Sequence, residues 1–100
     1  MHSYHVIFTP RAIKQIQATV DYYNSLQNGL GKRFIQDLKR QLSSVRQHPF
    51  SRAIRYDDIR FAVLDKFPYA AHYNIEDDMI IVYGVLSMFQ DPENSWIGNK

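Results

Sequence analysis

The stretch from Tyr69 to Met88 leaves this chain few ways to fold. Ala70–Ile75 is a β-prone run, Glu76-Asp77-Asp78 interrupts it, and the apolar run Met79–Met88 follows. Two such runs across a short polar break predict an antiparallel hairpin. Met79–Leu86 is apolar at successive positions, so its strand should lie inside a sheet, buried on both sides.

What precedes the hairpin must supply the rest of a sheet and something to cover it. Tyr4–Phe8 is β-prone and begins the sheet. Thr9-Pro10 opens a helix: threonine caps free amides, and proline suits the first helical position. Ile13, Ile16, Val20 and Tyr23 form its apolar stripe, and Asn28-Gly29 should stop it in a left-handed turn. A second helix is expected from Gly31 to Gln47, with Phe34, Ile35, Leu38, Leu42 and Val45 on one face. Lys32, Lys39, Arg40 and Arg46 lie on its other face, and His48-Pro49 closes it.

So short a connection makes the helices an antiparallel pair, and both stripes need the sheet for burial. Ala53–Tyr56 and Ile59–Leu64, around Asp57-Asp58, read as a strand pair or one bent strand. The order β-α-α-β-β-β gives an α+β fold with a helical hairpin on an antiparallel or mixed sheet. Asp91–Lys100 loses periodicity and should be loop or short helix, pinned by Trp96.

One hundred residues, 45% of them hydrophobic, suit one small domain spanning 1–100. The absence of cysteine excludes disulfides and thiolate metal sites and fits a reducing cytoplasm. Met1–His5 lacks the pattern of a signal peptide, and no apolar run has membrane-spanning length, so a cytoplasmic protein without a membrane partner is expected. The net charge of +2 is unevenly spread. Lys32, Arg33, Lys39, Arg40, Arg46, Arg52, Arg55 and Arg60 face only Asp37, Asp57 and Asp58, whereas the chain after Phe61 is mostly acidic. Such a basic middle suits nucleic acid or an acidic protein, or is simply a solvated helix face.

Motifs for catalysis are sparse. His2, His5, His48 and His72 stand at no ligand spacing, so neither metal nor cofactor is expected. Alternation with Ala70 and Asn74 puts His72 on the more polar strand face, as a solvent-facing structural histidine ahead of a catalytic acid or base. Asp57-Asp58 and Glu76-Asp77-Asp78 sit where turns favour aspartate. Phosphate loops and nucleophile motifs are missing. The tyrosines fall mostly on apolar stripes, with Tyr22-Tyr23 placed to offer one ring to the core and one to a partner.

Several phrases, taken in order, carry a resemblance: Phe8-Thr9-Pro10-Arg11-Ala12, Asp21-Tyr22-Tyr23, Gly31-Lys32-Arg33-Phe34, Asp58-Ile59-Arg60, Lys66-Phe67-Pro68-Tyr69, and Asp91-Pro92 before Trp96. From Tyr4 to Trp96 the chain resembles the RelE/ParE superfamily of toxins from bacterial type II toxin–antitoxin systems. The resemblance implies the helical-hairpin-on-sheet fold, growth inhibition, and neutralisation by a cognate antitoxin whose C-terminal segment wraps the toxin. RelE-like members cleave mRNA in the ribosome without metal, using basic groups to stabilise charge at the scissile phosphate. ParE-like members poison DNA gyrase.

Laid on this chain, the RelE-like basic positions fall at Phe61, Val63, Ala70 and Gln90, none of which is basic. That departure favours the ParE-like branch, a binder and not a catalyst. Arg60, Lys66 and His72 are the substitutes an mRNA endonuclease would have to use. Arg60 is read first as structural, paired with a carboxylate or the C-terminal tail. Phe61, Val63, Arg55, Gln90 and Trp96 are the candidates for contact with antitoxin or target. A degenerate toxin that binds antitoxin without activity is a third alternative. A homodimer or a heterotetramer with the antitoxin is compatible with the sequence but not demanded by it.

Overall fold

The computed structural model describes residues 3–89, so Gln90 and Trp96 lie outside the described residues, as does the expected tail. Strand β1 (His5–Phe8) leads into helices α1 (Pro10–Leu26) and α2 (Leu30–Gln47). Strands β2 (Ile54–Tyr56), β3 (Ile59–Val63), β4 (Tyr69–Glu76) and β5 (Met79–Ser87) follow. Their order in the sheet is β1-β5-β4-β3-β2. β1 runs parallel to β5, and all other neighbours are antiparallel, so the α+β sheet is mixed. The region around Asp57-Asp58 is a strand pair and not a bent strand. Both aspartates have positive φ, 43° and 65°, in a two-residue turn.

One sheet face and the helical hairpin enclose the core. Ala62, Leu64, Ala71, Tyr73, Ile80, Val82 and Val85 meet Ala12, Phe34, Leu38, Leu42 and Val45. β5 is interior, as expected, but its burial is one-sided over the first half. Ile80 and Val82 are buried while Met79, Ile81 and Tyr83 are half-buried. The helices cover only one face, which leaves the outer side of β5 partly open.

The Thr9 hydroxyl accepts from the Ala12 amide at 3.1 Å and donates to the Tyr83 carbonyl at 3.2 Å. That carbonyl sits where β5 bulges, between the Tyr73–Val82 and His72–Gly84 pairs. Beyond it β1 has ended, and Gln15 Oε1 accepts the Val85 amide at 3.0 Å. The N-terminal turns of α1 thus complete an edge of β5 that has lost its strand neighbour.

The interhelical break differs from the expected stop. α1 ends at Leu26 with Gln27 extended, and Gly29, at φ 87°, immediately precedes α2. The left-handed residue therefore launches the second helix instead of ending the first. Gly31 then brings the helices together: its amide donates to Asn24 Oδ1 at 2.9 Å. A Cβ there would lie 2.8 Å from Val20 Cγ1 and the Val20 carbonyl, and 2.9 Å from Asn24 Cγ. Gly31→Ala should therefore cost about 2 kcal/mol by forcing the helices apart. In a thermal melt the midpoint should fall by roughly 10 °C; an unchanged midpoint would show that the crossing relaxes freely.

The Lys66-Phe67-Pro68-Tyr69 phrase is a turn clamped to α2. Phe34 and Tyr23 form an aromatic cluster with Phe67 and Tyr69, at centroid distances between 4.9 and 6.0 Å. One helical step from Phe34, the Asp37 carboxylate accepts the Asp65 amide at 3.2 Å and the Lys66 amide at 2.7 Å. Asp37 is fully buried and serves as an internal cap for this turn.

Candidate target-binding face

Alternation along β3 divides the candidate residues between opposite sheet faces. Arg60 pairs across the strands with Tyr73, on the side that meets the helices. Its guanidinium donates to the carbonyls of Phe50 and Arg52 and lies 5.3 Å from the Phe50 ring centroid. The Tyr73 hydroxyl donates to the Pro49 carbonyl at 3.0 Å. Together they hold the segment after α2 against the sheet. Among the described residues Arg60 bonds backbone carbonyls instead of the expected carboxylate, and the C-terminal tail, its other expected partner, lies outside them.

Phe61 and Val63 point the other way, to the outer face. There Phe61 is paired with His72, and Val63 with Ala70. The next strand contributes Gly84 opposite His72 and Leu86 opposite Ala70. Val63 is 42% exposed, Phe61 is half-buried, and Ala70 and Leu86 are buried. Phe61, Val63 and Ala70, where the resemblance places three RelE-like basic positions, therefore lie side by side.

The reading of His72 as solvent-facing is overturned. Its ring is 3% exposed and stacks on Phe61 at 4.0 Å between centroids. Nδ1 shares a 3.0 Å hydrogen bond with the Tyr56 hydroxyl. Local alternation could not reveal this, because the ring is covered by side chains from β2 and β3. Burial, with the Arg55 charge adding to it, lowers the His72 pKa to about 4. Burial, reinforced by Asp57, pushes Tyr56 up to about 12. At neutral pH the pair is an uncharged polar contact.

Arg55 completes the cluster, with its guanidinium 4.7 Å from the Phe61 centroid. Arg55, Phe61, Val63 and His72 are thus brought together. Lys66 is exposed in the turn clamped by Asp37, and Arg60 belongs to the opposite face. Tyr56 is the member missed from the sequence; only the register of the hairpin around Asp57-Asp58 signals it. On the same outer face, Asn74 Oδ1 is buried with no hydrogen-bond partner.

This arrangement offers an apolar and aromatic surface with one cation over it. A basic group aimed at a phosphate is not among the four clustered residues apart from Arg55, whose charge lies over a ring. Among the described residues, no three His, Asp or Glu side chains converge to hold a metal, and no helix is long and apolar enough to cross a membrane.

Comparison with known proteins agrees with this fold. A chain from the chromosomal ParDE toxin–antitoxin system of P. aeruginosa superposes with a TM-score of 0.75 at 20% identity, covering 87% of this chain and 98% of that one. No curated protein sequence matches significantly. The family model for the ParE toxin of type II toxin–antitoxin systems matches residues 6–92. The protein belongs to the ParE toxin family of type II toxin–antitoxin systems.

Proposed function

We propose that this toxin inhibits growth by binding DNA gyrase, and that a cognate antitoxin neutralises it by covering the outer sheet face and the groove beside the helical hairpin. What supports binding over RNA cleavage is the apolar trio Phe61, Val63 and Ala70, around a histidine that carries no charge at neutral pH. Phosphoryl chemistry needs charge stabilisation at the reacting group, and this surface is built to be desolvated against a partner.

Purified toxin should inhibit gyrase supercoiling at about micromolar concentration. Val63→Asp should weaken that inhibition while leaving the fold intact, because Val63 is exposed on the proposed contact face. Supercoiling untouched by the wild-type toxin would rule out gyrase as the target. Ribosome-dependent cleavage of mRNA by the same preparation would establish the endonuclease alternative.

A further inference from the structure

The outward side of α2 is used neither by the core nor by the outer sheet face. Lys32, Lys39 and Arg46 are spaced by seven residues, as are Arg33 and Arg40. Seven residues make nearly two helical turns, so each set forms a row with members roughly 10 Å apart along the axis. Gln36 and Ser43 fall between these positions, and Gln47 extends the second row; all eight side chains are exposed. The one acid of the helix, Asp37, is turned inward and fully buried. Arg40 reaches back to it at 3.2 Å yet remains 52% exposed, and Arg46 Nε donates to the Tyr4 carbonyl at 3.2 Å. The helix backbone therefore carries its cations on a rigid line, two of them further held by their contacts.

We propose that this ridge of α2 binds the phosphate backbone of duplex DNA. The chemistry of the face separates that partner from an acidic protein. A stable protein interface needs a desolvated apolar centre with aromatic or aliphatic anchors, and none of the eight outward residues is apolar. Contacts to nucleic acid are instead polar, positively charged and wet, made by Lys and Arg with Gln and Ser assisting. A fixed row of cations also suits a stiff polyanion, and a duplex presents one charge per about 1.7 Å of its axis. Withdrawing Asp37 from the surface removes the one group on α2 that would repel it. The assignment does not depend on gyrase being the target.

The test is fluorescence anisotropy of the full chain with a labelled short DNA duplex of arbitrary sequence, titrated across salt concentrations. Each phosphate neutralised contributes about −0.9 to the slope of log affinity against log salt, so a slope between about −3 and −5 is expected. K32Q/K39Q should reduce the slope by about two and weaken binding by tenfold or more at about 0.1 M salt. K14Q/K66Q removes the same net charge from exposed sites off the ridge and should change affinity by less than about threefold. Equal losses in the two double variants would overturn the proposal, because binding would then follow net charge alone. Absence of binding by wild-type protein at low salt would overturn it too. Polyglutamate competing as well as unlabelled duplex would assign the ridge to an acidic protein instead.

Discussion

Asp37→Ala should destabilise the protein by about 4 kcal/mol. The substitution leaves the Asp65 and Lys66 amides without their acceptor. Both amides lie beneath the turn that carries the Phe67 and Tyr69 rings into the aromatic cluster with Phe34 and Tyr23. Domains of this size hold only about 5–15 kcal/mol in total, so the variant should be largely unfolded in mild urea where the wild type is intact. Asp37→Asn keeps one acceptor but turns an amide group toward a backbone donor, at a cost of about 2 kcal/mol. Arg40→Ala should cost less than about 1 kcal/mol, because the guanidinium is half exposed and contributes the solvent-side bond only. Chemical denaturation followed by circular dichroism distinguishes these cases. A small loss in Asp37→Ala would mean that the turn is held by its aromatic rings alone.

The second large effect is one of pH. In the unfolded chain His72 takes up a proton near pH 6.5, whereas in the folded protein burial, aided by the Arg55 charge, lowers that value to about 4. A folded pKa below the unfolded one means that the unfolded state binds more protons between these limits. Stability is therefore full above about pH 6.5, falls as the pH drops toward 4, and is lost in that component below it. The shift corresponds to at most about 3 kcal/mol. Denaturation midpoints across this window should decline for the wild type and flatten in His72→Asn, which does not titrate there. A wild-type curve as flat as that of the variant would show that the imidazolium finds room beside Phe61.

The contrast between these two residues shows which kinds of information the sequence holds. Helices and hairpins declare themselves through local periodicity, and Thr9-Pro10 marks the start of α1 within a residue. The apolar stripe of α2 is equally plain, but the burial of Asp37 within it is not. Its position was the available clue: it stands three residues after Phe34 and eight before Val45, both of them buried. A carboxylate on such a stripe needs internal donors, but which amides would supply them depends on the fold of a distant turn. His72 failed for a related reason. Alternation assigned it correctly to the face with Ala70 and Asn74, while its burial came from the rings of Phe61 and Tyr56 on neighbouring strands. The parallel pairing of β1 with β5 is likewise a long-range choice, joining His5 to Met79 across most of the chain.

For the candidate site the picture is similar. Phe61 and Val63 share one face because positions two apart on β3 point the same way, and Arg55 joins them from β2 through its contact with the Phe61 ring. Arg60, an equally attractive cation from sequence, sits one residue out of phase and faces the helices. The strand period puts Phe61 and Val63 on the outer face and Arg60 on the helix-facing one.

The most direct test of the central claim, a toxin that acts by binding at an apolar face, is pulse-labelling of DNA and protein synthesis after inducing the chain without an antitoxin. DNA synthesis should fail first, with mRNA left intact, and Val63→Asp should delay that failure. Protein synthesis failing first, accompanied by mRNA cleavage, would contradict the account and require a catalytic set that Phe61, Val63 and Ala70 do not provide.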